Sequence, residues 1–409
     1  MLQVMERIRP GKWEQRRAYK KVNSFLAKIG PLLNGLSVEI GGSFAKGTWL
    51  SGDHDIDVFV KFPYEKYKKS DLSDLLAKRL KKYRLVHGSR DYFQLEFWGY
   101  LFELIPVLEI TKAEQAVNVT DVSPLHTRWV TEHVKEFADE IRLSKSFAKA
   151  QGVYGAESYI KGFSGYVLEV LTIYYGGFFN FMKAASEWKK QEFVDAGSHY
   201  QHRSEALEKM NKEKQGCLIV PDPVQKDRNI AAALSEEKYL KFIDVCKQFM
   251  RNPRNEFFVQ RKPTLKTLKT DAGVHCLVWI EAEPVEGKKD IVGSKMLKVW
   301  TFIQQHLERE GFHVKNSGWD FDGNALFWFI LEHEEVSLEK KHYGPSVADE
   351  AHLRDFITKW HHHDMHEENG RVYVFVKRKH PHVKTYIPYI LEQSEYVSEV
   401  LKRYRMKIY

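Results

Sequence analysis

The sequence predicts an α+β multidomain protein, on three observations. The first third mixes alternating strand patterns with helical ones. Residues 131 to about 249 read as mainly helical. The last third returns to strands and helices in alternation. A chain of 409 residues, at roughly 150 per domain, allows two to four domains. The shifts in pattern divide it into residues 1–130, 131–255 and 256–409.

The first helix is expected from about Trp13 to Leu33, where Val22, Phe25, Leu26 and Ile29 share one face and Pro31, Asn34 and Gly35 close it. The run SVEIGGSFAKGTWLSGDHDIDVFVKF reads as strand, Gly-rich turn, short helix, loop and strand. Within it DIDVFVKF alternates, so Asp55, Asp57 and Phe59 face away from Val58 and Val60. Residues 70–84 read as a helix, and YFQLEFWGYLFELIPVLEI supplies two more strands. Further on, Val134, Phe137, Ile141, Ser144 and Ala148 fall on one helical face. Arg142, Lys145 and Lys149 fall on another.

In the last third, residues 273–282 predict a strand and 294–310 a helix. Residues 311–316 and 324–332 predict a hairpin around NSGWDFDGN, 347–360 a helix and 371–378 a strand. The order βαββαβ is the ferredoxin-like pattern, shared with many RNA-binding modules.

Composition narrows the class. Hydrophobic residues make up 43%, enough for ordinary cores, and a formal net charge of +8 favours a polyanionic partner. Cys217, Cys246 and Cys276 are scattered and form no CxxC pair, which argues against a disulfide framework or Cys-rich zinc site and fits a reducing cytoplasm. The start MLQVMERIRPGKWEQRR lacks an apolar segment, so no signal peptide is expected. The most apolar stretches are too short to span a bilayer or are interrupted by Glu169. His361, His362, His363 and His366 invite a zinc reading, but a solvated loop fits them better.

The chemistry converges on the N-terminal third. Two carboxylates two residues apart on a strand, Asp55 and Asp57, project from one face and repel unless a cation lies between them. Mg²⁺ takes a few carboxylates together with phosphate oxygens. A third carboxylate on a neighbouring strand completes a two-metal site, and Glu103 is the candidate. Upstream, Gly41, Gly42 and Ser43 form a turn that lets backbone N–H groups approach phosphates, and Lys46 adds charge.

These residues resemble the nucleotidyltransferase superfamily that includes DNA polymerase β and poly(A) polymerases. More closely, the chain resembles the archaeal-type, class I CCA-adding enzymes. GGSFAKGTWLSGDHDIDVF, SPLHTRWV, LSKSFAKAQGVYGAESYIKGFSGYVLEVL and PDPVQKDRNIAAALS follow that family's blocks in order along nearly the whole chain. The resemblance implies a polymerase β-like catalytic domain at residues 1–130, a helical nucleotide- and tRNA-binding domain at 131–255, and a tRNA-binding domain with the βαββαβ module at 256–409. It implies addition of C, C and A to the 3′ end of tRNA from CTP and ATP, with two Mg²⁺ ions. Asp55, Asp57 and Glu103 would hold the metal. Gly42, Ser43 and Lys46 would meet the triphosphate. His126, Lys145 and Tyr154 would contact the nucleotide, and Arg228 would read the base edge. A homodimer is one arrangement left open.

Two positions depart from the family's pattern. Glu103 stands where Asp is usual, and Lys46 stands where Arg is common, which keeps the charge but loses the bidentate fork. Two other readings differ in product. A poly(A) or oligonucleotide polymerase would make long homopolymers, and a non-catalytic tRNA-binding protein would incorporate nothing.

Overall fold

The computed structural model describes residues 1–80 and 83–409. They form two compact units, Met1–Arg261 and Lys262–Tyr409. The ranges 1–130 and 131–255 share the first unit.

The first unit opens with α1 (Leu2–Ile8) and α2 (Lys12–Ile29). In α2, Ala18, Val22, Phe25 and Ile29 recur at helical spacing and are all buried, and a 3₁₀ turn at Gly30–Leu33 with Pro31 ends the helix. There follow β1 (Ser37–Ile40), α3 (Gly42–Ala45), β2 (Asp55–Pro63), α4 (Tyr64–Tyr67), α5 (Leu72–Arg79), β3 (Arg84–Val86), β4 (Tyr92–Phe97) and β5 (Tyr100–Glu109). The helix expected over 70–84 is the shorter α5; residues 81–82 of that range lie outside the described residues.

The five strands form one sheet in the order β1-β2-β5-β4-β3. β2 runs parallel to β5, with Asp57 opposite Glu103, and antiparallel to β1. Alternation then divides β2 as the sequence predicts. Ile56, Val58, Val60 and Phe62 enter the core, where Phe25 of α2 stacks on Phe102 of β5 at 3.8 Å between ring centroids. The carboxylates take the opposite face.

The helical part comprises α6 (Ser123–Val134), α7 (Ala138–Ala150), α8 (Gly165–Tyr174), α9 (Phe178–Ser186), β6 (Glu192–Phe193), α10 (Arg203–Lys209), β7 (Leu218–Ile219), β8 (Pro221–Asp222), β9 (Gln225–Asn229) and α11 (Glu236–Arg251). The face expected to run unbroken from Val134 to Ala148 is split between α6 and α7 by a 3₁₀ turn at Lys135–Phe137. Asp139 and Glu140 in the first turn of α7 suit a fresh helix start. Phe147, Phe178, Phe242 and Phe249 pack edge to face around α7, α9 and α11.

The second unit holds α12 (Leu265–Ala272), β10 (Cys276–Pro284), α13 (Lys289–Glu310), β11 (Val314–Asp322), β12 (Asn324–Leu331), β13 (Glu339–Ser346), α14 (Glu350–Lys359), β14 (His366–Glu368), β15 (Arg371–Lys377), α15 (Val383–Glu392), α16 (Glu395–Val400) and β16 (Leu401–Ile408). An antiparallel sheet in the order β11-β12-β10-β16 packs one face on α13 and α15. With its helices this is a ferredoxin-like βαββαβ layout.

Two expectations change here. The hairpin turn is confined to Gly323, and Asn316–Phe321 continue the strand rather than form a loop. The second helix and fourth strand of the module are α15 and β16, not residues 347–360 and 371–378. β15 instead joins β13 and β14 in a separate three-stranded sheet within an insertion. β16 is an edge strand: Tyr404, Met406 and Ile408 turn inward while Arg403, Arg405 and Lys407 remain exposed. That charge obscured its alternation. His361, His362 and His363 are exposed, as a solvated loop requires. Among the described residues, no helix is long and apolar enough to cross a membrane.

Candidate active site

The site is assembled on the first unit by one close approach. The backbone N–H of Gly41 donates to the carbonyl of Asp57 at 2.9 Å, extending the β1–β2 ladder into the turn. Gly42 follows at φ +60, and a Cβ placed on it would lie 1.7 Å from Asp57 Oδ2. Only glycine both adopts that conformation and leaves room for the carboxylate. The phosphate-type turn and the DxD strand are therefore seated directly against each other. Ser43 is the second residue of α3, and its carbonyl accepts from the Thr48 N–H at 2.9 Å, which closes the turn.

On the β2–β5 face, Asp55 is exposed, while Asp57 and Glu103 are half-buried. Burial raises the Asp57 carboxyl; Lys46 draws it back, while Asp55 and Glu169 push it up. Burial also pushes Glu103 from 4.5 up to about 7. A hydrogen bond from Gln94 opposes this, and the charges of Asp57 and Asp55 add to it. Gln94 Nε2 donates to Glu103 Oε1 at 2.7 Å. Carboxylates that raise one another's affinity for protons also favour a divalent cation, so the donor set fits one. Yet among the described residues no three His, Cys, Asp or Glu side chains are gathered closely enough to hold a metal ion. Asp55 and Asp57 could begin such a site, and Glu103 would have to share or release its bond to Gln94 to join it.

The raised Glu103 pKa, caused first by burial, has a stability consequence. Above pH 4.5 the unfolded chain releases a proton that folded Glu103 keeps until about pH 7. The native state binds more protons in that window, so stability falls as pH rises through it. We expect the metal-free protein to lose on the order of 1–3 kcal/mol at this residue between pH 4.5 and 7. Mg²⁺ should recover the loss at pH 7, and Glu103→Gln should abolish it. Urea melts at pH 5 and pH 7.5 measure it; identical pH profiles for wild type and Glu103→Gln would count against it.

Behind the turn lies a buried cluster. Lys46 Nζ donates to Glu169 Oε2 at 2.9 Å, and Lys145 Nζ to Glu169 Oε1 at 2.7 Å. The Thr48 hydroxyl also donates to Oε1, at 2.7 Å. Arg142 of α7 donates from Nε to the Trp49 carbonyl at 2.9 Å and from Nη2 to that of Gly47; Lys149 Nζ lies 3.2 Å from Asp53. The basic face of α7 thus grips the loop between α3 and β2, and Arg142 and Lys145 are buried rather than solvated.

A second group forms around Asp222, which is fully buried. His126 Nε2 sits 2.8 Å from Asp222 Oδ2, Arg228 Nη1 lies 3.4 Å from the same oxygen, and the Tyr166 hydroxyl donates to Oδ1 at 3.3 Å. Burial lowers the His126 pKa against the pull of Asp222. Arg228 also lines an open cleft of about 640 Å³ with Val117, Asn118, Val119, Lys214 and Asp227. Tyr166 joins the two groups: its ring lies 4.3 Å from that of His126 and 5.4 Å from Lys46 Nζ. Tyr154 stands at the margin. Its hydroxyl and the Lys145 ammonium border Gly165, where a Cβ would meet them at 3.0 and 3.9 Å. Burial raises the Tyr154 pKa.

All ten residues singled out by sequence therefore lie in the first unit, in two groups that meet at Tyr166. Sequence reasoning gave no site role to the residues that hold them: Glu169, Asp222, Tyr166, Arg142, Thr48 and Gln94. One signal was available. Glu169 is the lone carboxylate in the apolar run GYVLEVLTIYY, and a charge there must be paired.

A mixed sheet with paired aspartates behind a glycine turn, followed by a helical part, defines a nucleotidyltransferase. Family profiles match in that order: a nucleotidyltransferase domain over residues 19–118, the second domain of tRNA nucleotidyltransferase over 139–259, and the C-terminal domain of CCA-adding enzymes over 276–406. The CCA-adding enzyme of Nanoarchaeum equitans is 34% identical across 88% of this chain and 90% of its own length. That of Methanosarcina barkeri is 31% identical across 92% and 86%. Among solved structures, Cid1 poly(U) polymerase with MgGTP matches 64% of this chain and 97% of its own, with a TM-score of 0.50 and 12% identity, a likeness of fold alone. The chain belongs to the CCA-adding enzyme family.

Proposed function

We propose that this CCA-adding enzyme joins C, C and A in turn to the 3′ end of tRNA, using CTP and ATP, at the centre formed by Asp55, Asp57 and Glu103. The approach of Gly42 to Asp57 carries this reading, because it seats a glycine turn suited to a triphosphate against the carboxylates that would hold metal. Gly42, Ser43 and Lys46 would hold the triphosphate, with Lys145 behind it. The terminal hydroxyl oxygen of the tRNA bonds to the α-phosphorus while the bond from that phosphorus to the bridging oxygen breaks, and pyrophosphate leaves. Glu103 would help to activate that hydroxyl. Two divalent ions on Asp55 and Asp57 would supply Lewis acidity, making that hydroxyl more acidic and stabilising charge on the pyrophosphate.

The cleft beside Arg228 would take the base. Asp222 would fix the guanidinium there, with His126 and Tyr166 packed behind it. Residues 1–130 would then carry the chemistry, 131–255 the nucleotide, and 256–409 the tRNA, held through phosphates and helix shape.

The test is product length on tRNA ending at the base before CCA. CTP alone should give two additions, ATP alone none, and both together three and no more. Homopolymers would instead support a poly(A)-type polymerase.

A further inference from the structure

Helix α8 is apolar along most of its length, yet it buries Glu169 at its centre. Thr48, Lys145 and Glu169 are each at most 4% exposed. Three donors reach this carboxylate from two other segments: Lys46 and Thr48 from the turn after α3, and Lys145 from α7. Burial disfavours charge on both Glu169 and Lys145: the two lysines still hold the Glu169 carboxyl below the ordinary range, while burial lowers the Lys145 pKa against the pull of Glu169.

A lone buried ion pair needs one lysine, and a second cation beside the first adds repulsion. Here one carboxylate holds two ammonium groups and leaves a surplus positive charge. That charge sits behind the turn that packs on Asp57, and Thr48 itself closes the turn at the Ser43 carbonyl. Each ammonium carries three protons. Lys46 gives one to Glu169, while Lys145 directs its three to Glu169, the Thr48 hydroxyl and, at 3.4 Å, the Thr48 carbonyl.

We propose that Glu169 is a positioning residue that holds Lys46, backed by Lys145, toward the triphosphate of the incoming nucleotide. The inference rests on the nucleotide-transfer reading of this site. Without the carboxylate, two ammonium groups buried side by side repel; one swings away or sheds its proton, and the triphosphate loses a preset partner. Glutamine preserves volume but presents an N–H donor where one lysine needs an acceptor.

The test is steady-state addition to tRNA lacking CCA by wild type, Glu169→Gln and Thr48→Val, with CTP, ATP and tRNA varied in turn. For Glu169→Gln, KM for both nucleotides should rise about tenfold or more, with a smaller fall in kcat and tRNA KM unchanged within about twofold. Inhibition by pyrophosphate should weaken in step. Thr48→Val, which leaves the charges in place, should shift nucleotide KM the same way by about threefold. Nucleotide KM unmoved in both variants overturns the inference, as does a loss confined to kcat or to melting temperature. If Glu169→Gln does not fold, Thr48→Val decides on the same criterion. Absence of incorporation by wild type would instead defeat the underlying reading of the site.

Discussion

Asp57→Asn is expected to lower nucleotide incorporation by about 10³-fold or more while the protein stays folded. Asp57 is the third residue of β2, opposite Glu103 across the β2–β5 register, and its carboxylate fills the space that Gly42 leaves. Asparagine keeps that shape and removes the charge a divalent ion requires. Metal stabilisation of the transition state is worth several kcal/mol, and each 1.36 kcal/mol is about tenfold in rate. The metal-free protein should melt no lower than wild type, because the substitution also removes a half-buried charge that burial, Asp55 and Glu169 all disfavour. Label incorporation and a melt in chelator measure the two effects together. Activity within tenfold of wild type would remove Asp57 from the metal site.

Gly42→Ala should be nearly as damaging by a different route. At φ +60 an alanine pays about 1–2 kcal/mol for the left-handed conformation. Its Cβ would also stand 1.7 Å from Asp57 Oδ2, so either the turn or the carboxylate must move by more than 1 Å. Misplacement on that scale can cost about 10²-fold in rate. Gly47 separates the two effects. It too has positive φ, at +67, but a Cβ there meets nothing within 4 Å. Gly47→Ala should lose stability and retain most activity, whereas Gly42→Ala should lose both. Equal kcat/KM for the two variants would show that the close approach does not matter.

The N-terminal sheet was legible because its signals are local. β2 alternates cleanly, and Gly41 and Gly42 mark the turn that a tight strand-to-helix connection needs. Its pairing with β5, and so the placing of Asp57 opposite Glu103, was not written in either strand alone. In the C-terminal unit, RVYVFVK and LKRYRMKIY are both strands, but the first advertises itself with β-branched and aromatic residues while the second hides behind exposed Arg403, Arg405 and Lys407. Local pattern chose the wrong one for the ferredoxin-like sheet. The same division holds in the site. Lys46 and Lys145 could be singled out individually, but Glu169 lies 123 and 24 residues from them, and Asp222 lies 96 from His126. Contacts of that span arise from packing, which residue spacing does not encode. Arg142 and Lys145 illustrate the cost: at helical spacing they look like a solvated stripe, yet the loop from Gly47 to Trp49 covers them and Glu169 of α8 pairs with Lys145.

The most direct measurement is length-resolved product from tRNA lacking CCA, incubated with CTP, ATP and Mg²⁺ and either wild type or Asp57→Asn. Wild type should add three nucleotides and stop, and Asp57→Asn should leave the tRNA unextended. Equal extension by both proteins would contradict the assignment of the reaction to this carboxylate centre.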